Sequence, residues 1–151
     1  MKRFNVRVYG VLVEQGVLLV TDEIRFGIKM TKLPGGGVKF GEGLEAALKR
    51  EWMEELGQEI TVGEVIYINP FLQVSAFNED DEVLCVYFSV SISHPLKVPM
   101  TAKRFDFPTP ENDQQIFRKI SLIDLEPEDF TFPIDQSLVP VLRQLLRQGR
   151  L

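Results

Sequence analysis

The chain has 151 residues, 44% hydrophobic and 26% charged, the size and balance of one globular domain with a full core, and a single domain over 1–151 is expected. A net charge of -5 argues against a DNA partner, and a polyphosphate ligand would need bridging cations or a local basic patch. One cysteine excludes an internal disulfide; with no apolar run near about 18 residues and no signal-like segment after Met1-Lys2-Arg3-Phe4-Asn5, a cytoplasmic protein without a membrane partner is expected.

Phe4 to Glu14 is rich in Val, Tyr and Leu, Gln15-Gly16 is a turn, and Val17 to Asp22 is a second β-rich run, so the opening reads as a hairpin. Glu23 to Lys32 then reads as a mobile basic loop carrying Arg25, Phe26, Lys29 and Lys32. Arg25 and Lys32 are candidate phosphate contacts there, although basic surface loops are common. Gly35-Gly36-Gly37 follows; glycines take positive φ and let bare backbone approach a ligand, and they also serve a plain strand-to-helix turn.

Leu44 to Leu56 has no Pro or Gly and ends at Gly57, which predicts a helix with a glycine C-terminal cap. At about 100° per residue, Glu51, Glu54 and Glu55 share one face, beside an apolar stripe of Leu48, Trp52 and Leu56. Like charges so placed repel, more strongly where the stripe draws them out of solvent, and a divalent cation removes that cost. Oxygen ligands of this kind suit Mg²⁺ or Mn²⁺, which take further ligands from substrate phosphates. Arg50, one turn before Glu54, can hold that carboxylate in place. Glu42 stands at the helix start, where a carboxylate suits the dipole, as a structural residue or a water-mediated contributor behind the ligands. A solvated acidic face is the alternative for the whole pattern.

After the helix, Glu59 to Ala76 is β-rich but interrupted by Gly63 and Pro70, giving two short strands or one bent one; Asn78 to Asp81 is a turn and Glu82 to Ser93 a strand. Cys85 reads as a small core residue, and His94, the only histidine, has no partner at a recognisable spacing. Pro95 to Asn112 holds four prolines with Phe105, Phe107, Lys103 and Arg104. A loop of this length suits a lid in which Phe105 and Phe107 stack a base and Arg104 holds a phosphate, while hydrophobic anchoring explains the same phenylalanines. Gln115 to Ser121 reads as a strand, and Ile134 to Gln148 as an amphipathic helix whose leucine stripe packs on a sheet, with a homodimer contact as the alternative.

Gly36, Glu42, Arg50, Glu51, Glu54, Glu55 and Gly57 together resemble the Nudix box, with every invariant position matched, and Leu33-Pro34-Gly35 is similar to the usual approach to it. The box covers Gly36 to Gln58; its aliphatic positions hold Trp52 and Gln58 instead. Leu122-Ile-Asp-Leu125 is similar to a phrase that follows the last strand in such domains, although Lys119 stands where Trp is common. The resemblance implies an α/β fold, the Nudix α/β/α sandwich with a mixed sheet, and divalent-metal hydrolysis of the pyrophosphate bond of a nucleoside diphosphate linked to another moiety. It implies Glu51 and Glu55 as principal metal ligands, Glu54 as ligand or base, the Gly35 carbonyl as a further ligand, and Arg50 as their orienting partner. A further acidic residue from a late loop often assists, and Glu111 and Asp113 are the candidates. The partner is then a nucleotide or other small diphosphate. A non-catalytic nucleotide sensor would show a degraded box or an attached DNA-binding segment; an isoprenoid-diphosphate isomerase relative would need a loop cysteine, which Cys85 is not. No signature downstream of the box matches the dinucleoside polyphosphate, coenzyme A, NADH or ADP-ribose types, Pro70 standing too close to the box for the last.

Overall fold

Two X-Gly turns and one glycine strand set the boundaries of the computed structural model, which describes residues 1–151. In chain order its elements are β1 (Arg3–Val11), β2 (Val13–Glu14), β3 (Val17–Arg25), β4 (Ile28–Lys32), β5 (Gly35–Gly37), α1 (Leu44–Leu56), β6 (Thr61–Ile68), β7 (Asp81–Ser91), β8 (Gln114–Ser121), a 3-10 turn (Pro127–Asp129) and α2 (Pro133–Arg147). This is a mixed α/β fold with two helices and two sheets, as the resemblance implied. It divides into two compact units, Met1–Val11 with Pro34–Leu96 and Leu12–Leu33 with Lys97–Leu151.

The first unit holds a mixed sheet in the order β5-β1-β7-β6. β1 runs parallel to β7, Val8 opposite Val86, and antiparallel to β5, Arg7 opposite Gly37 and Tyr9 opposite Gly35. Side chains alternate across a strand, so Val8 and Gly10 share a face with Val86 and Phe88, and α1 covers it through Ala47, Leu48, Trp52 and Leu56. Trp52 is fully buried and fits because Gly10 is bare: a Cβ there would stand 2.7 Å from the indole Nε1. That nitrogen donates to the Pro34 carbonyl at 3.2 Å, satisfying the polar end of a large buried ring. Gln58, the other departure from the aliphatic pattern, is also buried, and its amide donates to the carbonyls of Glu59 and His94, each at 3.2 Å. Gly57 ends the helix in the left-handed region at φ 61°, ψ 28°, its N–H on the Met53 carbonyl at 3.0 Å. After β6 the strand breaks at Asn69-Pro70. Asn69 mends the ladder there: its Oδ1 accepts the Cys85 N–H at 2.8 Å and its Nδ2 donates to the Val83 carbonyl at 3.2 Å. An isolated bridge of Val74 with Glu82 follows. Cys85 is buried, as expected.

The second unit holds an antiparallel sheet in which β3 pairs with β2, β4 and β8. Two sequence expectations are corrected here. The opening hairpin is only β2 with β3; β1 pairs instead with β5 and β7, because periodicity marks a strand without naming a partner some eighty residues away. Glu23 to Lys32 is no mobile loop: β3 runs to Arg25 and returns as β4 through Phe26-Gly27. Both of those residues have positive φ, 50° and 74°, matching Gln15-Gly16 at 53° and 74°. Such angles twist a two-residue turn to suit a hairpin, but phenylalanine is an uncommon residue to signal it. Inside this unit the fully buried Asp22 accepts Arg118 Nε at 2.6 Å and Nη2 at 3.1 Å, the Thr31 hydroxyl at 2.7 Å, and the Phe105 N–H at 3.1 Å. α2 begins at Pro133, a residue pre-set for the first turn, buries Ile134, Leu138, Val139, Leu142 and Leu145, and packs on the 3-10 turn.

Candidate active site

The helix carboxylates are organised by Arg50. Its Nε donates to Glu42 Oε2 at 3.0 Å and its Nη2 to Glu42 Oε1 at 2.6 Å, a two-point pairing. Nη2 also reaches the Gly37 carbonyl at 3.0 Å, while Nη1 serves Glu51 at 3.1 Å and Glu54 at 3.3 Å. One guanidinium thus ties Glu42, ahead of the helix, and the carboxylates of its last third to the glycine strand β5. Planar, five-donor geometry is what makes this possible, and lysine could not reproduce it. Glu42 Oε1 also accepts the Lys39 N–H at 2.8 Å, so this carboxylate caps the turn before the helix rather than the helix itself, whose N-cap is Gly43. The Arg50 hydrogen bonds, then the Lys39 N–H, hold Glu42 at a pKa of about 2, and Arg50 is raised in return, chiefly by Glu42 and then Glu51.

Glu51 lies against Gly36, where a Cβ would come within 2.5 Å of its carboxyl carbon and Oε1. The box glycine is therefore a cradle for a carboxylate. Gly35, beside it, takes φ 152°, and a Cβ there would meet the Val8 carbonyl oxygen at 2.0 Å, so that residue serves the pairing of β5 with β1. Glu54 is the most open of the three carboxylates at 56% side-chain exposure, against 16% for Glu51; Glu55 is half-buried. No three carboxylates converge as a closed ligand cluster, since Glu51 and Glu54 both turn onto Nη1 of Arg50. The donor set still fits a hard divalent ion: all-oxygen, net negative, on one helix face, with Glu51 held in a glycine cradle.

The model of one family, described as NUDIX domain, matches residues 1–129. The chain belongs to the NUDIX domain family. That membership supports a pyrophosphohydrolase in general class. Among solved structures, the ORF135 protein of E. coli superposes with a TM-score of 0.67 at 20% identity, covering 99% of this chain and 94% of that one. A NUDIX hydrolase from Nitrosomonas europaea gives 0.67 at 21%, covering 98% and 91%. An ADP-ribose pyrophosphatase from Streptococcus suis gives 0.59 at 16%, covering 97% and 92%. At such identities the likeness concerns the fold. Comparison with curated protein sequences gives no match.

Within the second unit of this NUDIX domain protein, the other expected site residues are mostly engaged. Lys32 is buried beside Glu23, Nζ to Oε2 at 3.4 Å, and Arg25 faces Asp113 at 3.7 Å. Arg104 stacks on the Phe105 ring at 4.6 Å and donates to Thr31 Oγ1 at 3.0 Å and to the carbonyls of Glu128 and Asp129 at 3.3 and 3.1 Å. Phe105 and Phe107 stack on each other at 6.3 Å and are half-buried. The segment from Pro95 to Asn112 is thus tied down at Thr101, Arg104 and Phe105. Glu111 is exposed, its carbonyl accepting the Gln114 amide, and Asp113 sits at φ 62° with its N–H on the Ile24 carbonyl at 2.7 Å.

Sequence reasoning passed over Arg7. It stands on β1 opposite Gly37, its Nε donating to the Tyr9 hydroxyl at 2.6 Å. Tyr9 chiefly holds its pKa above the ordinary value, with Cys85 and Glu51 adding to that. The available signal was an arginine between two valines of the first β-run.

Proposed function

We propose that this protein hydrolyses the pyrophosphate bond of a nucleoside diphosphate linked to another moiety, with Mg²⁺ or Mn²⁺ bound by the α1 carboxylates, as a single cytoplasmic domain. The observation that carries the reading is the Arg50 hub, which fixes Glu42, Glu51 and Glu54 against a glycine strand bare of side chains. Glu51 and Glu55 are the principal ligands, with the Gly35 carbonyl; Glu54 is a ligand or the base that takes a proton from water. A bound divalent ion would neutralise charge on phosphate oxygens and lower the pKa of a bound water. Arg50 keeps the carboxylates oriented before the ion arrives, and Glu42 keeps Arg50 oriented in turn. Glu111 and Asp113 are the candidates for a further acidic residue. Arg25, with its side chain 56% exposed, supplies positive charge to phosphates, and Phe105 and Phe107 stack the base. Support for one domain comes from the family match, which runs through residues of both units.

The test is a panel of nucleoside di- and triphosphates and diphosphate-linked nucleotides, with Mg²⁺ or Mn²⁺, assayed on wild type, Glu54→Gln and Glu55→Gln. The expected result is hydrolysis of at least one substrate, with kcat lower by orders of magnitude in the variants. Hydrolysis of none by the wild type, or near-normal turnover by Glu55→Gln, overturns the assignment.

A further inference from the structure

β5 is an end strand of its sheet and consists of three glycines. Its two faces are occupied from either side. Glu51 lies against Gly36, and the side chain of Arg7 lies against Gly37, where a built Cβ would stand 3.7 Å from Arg7 Nη1. Alternation along the strand makes these opposite faces, and no side chain of β5 separates the two charged groups. Arg7 also feels the Glu51 charge. Its one hydrogen bond runs from Nε to the Tyr9 hydroxyl, and its guanidinium lies 5.8 Å from the centre of that ring. Nη1 and Nη2, with four N–H donors between them, make no hydrogen bond or ion pair with any residue of the chain. This contrasts with Arg50 and Arg104, whose two terminal nitrogens are both taken up. A half-buried guanidinium keeps donors unpaired only at a free-energy cost unless solvent or a ligand meets them.

We infer that Arg7 is a phosphate-binding residue: its terminal N–H pair grips an oxygen of the substrate's phosphate chain where that chain crosses the glycine edge of β5, beside the Glu51 carboxylate. This rests on the reading of the protein as a pyrophosphohydrolase and names a recognition residue for it. The guanidinium fork matches phosphate geometry in two parallel hydrogen bonds. Tyr9 fixes the direction of the fork by taking Nε. Gly37 keeps it open, since any side chain longer than a methyl would lie across Nη1. The ligand class is therefore one with phosphate on both sides of that strand, a di- or polyphosphate rather than a monophosphate.

The experiment measures KM and kcat on the best substrate of the panel for wild type, Arg7→Met, Arg7→Lys and Gly37→Val, with melting temperature and Mn²⁺ affinity on each. Gly37→Val leaves Arg7 and every box residue in place and masks the fork. Expected is a rise in KM of about ten-fold or more for Arg7→Met and Gly37→Val, partial recovery in Arg7→Lys, and, in the two Arg7 variants, kcat within about three-fold with unaltered Mn²⁺ affinity. Arg7→Met with KM within about two-fold of wild type overturns the inference while leaving the hydrolase reading intact. So does a fall in melting temperature with KM unmoved, the mark of a merely structural arginine. A wild type that turns over nothing overturns the hydrolase reading instead, and the inference with it.

Discussion

Gly36→Ala separates the chemistry of the glycine strand from its architecture. The added methyl carbon would be 2.5 Å from the Glu51 carboxyl carbon and Oε1 and 2.7 Å from Oε2, about 1 Å inside ordinary contact. The obstacle is the far end of a side chain, so Glu51 yields and the strand stays. Moving it by roughly 1 Å breaks its 3.1 Å bond to Arg50, a charge-assisted contact worth about 1.5–3 kcal/mol before solvent replaces part of it. A misplacement of that size costs on the order of 10²-fold in rate when the displaced group orients the reaction. Gly35→Ala is the contrast: its methyl would meet the Val8 backbone oxygen at 2.0 Å at φ 152°, and no rotamer relieves that. Melting curves and kcat on both variants decide the matter. Gly36→Ala should melt within a few degrees of wild type and turn over roughly a hundred-fold more slowly, while Gly35→Ala loses stability outright. Gly36→Ala with turnover within about three-fold of wild type would refute the idea that this glycine exists to seat Glu51.

Glu42 is held at a pKa of about 2 by Arg50 and the Lys39 N–H, below its ordinary 4.5; a depressed acid stabilises the fold above the unfolded value and loses that contribution as pH falls from about 4.5 towards 2. Glu42→Gln should flatten the acid limb of the stability profile in that window while lowering kcat less than Glu54→Gln does, which acid titration by circular dichroism and steady-state kinetics will check. Asp22→Asn leaves Arg118 as a buried cation short of its counter-charge and should destabilise by about 3–5 kcal/mol, measured by urea unfolding; a loss under about 1 kcal/mol would show the pair to be solvated. Phe105→Ala and Phe107→Ala distinguish stacking from anchoring: as base-stacking residues they raise KM or reorder the substrate panel with little change in melting temperature, whereas a loss of about 3 kcal/mol or more in stability with unchanged KM makes them anchors.

The helix was legible because every local signal agreed: no breaker between Leu44 and Leu56, a glycine after it, and an apolar stripe that is indeed buried at Leu48, Trp52 and Leu56. Arg50 reaching Glu54 follows from helical spacing, but its bonds to Glu42 and to the Gly37 carbonyl cross the glycine turn, and no periodicity encodes a turn's path. β4 was missed because Lys29 and Lys32 gave the segment a solvated look. In the fold Lys32 is buried beside Glu23, and a buried ion pair reads in sequence as two surface charges. Asp22 and Arg118 were hidden the same way, ninety-six positions apart and joined at 2.6 Å. Gln58 stood as a weak substitute for an aliphatic residue; it is buried all the same because two backbone carbonyls satisfy its amide, a compensation that exists only in three dimensions.

The charge arrangement of the helix face now has a physical consequence for metal entry. Repulsion among Glu51, Glu54 and Glu55 was the reason to expect a cation, yet Arg50 already neutralises part of it, and it does so with Nη1 shared between Glu51 and Glu54. On the proposed reading, a divalent ion bound there would compete with a guanidinium for the same oxygens. Arg50 can give them up cheaply, because Nε and Nη2 remain held by Glu42 and the Gly37 carbonyl, so the side chain is not released to solvent with its entropy and its charge unplaced. Glu54, at 56% exposure, is the carboxylate that can swing to a new ligand with least disturbance, while Glu51 is confined by Gly36. On that reading Glu42 would act on the metal indirectly, by making Arg50 a partner that can let go of two carboxylates without leaving the site.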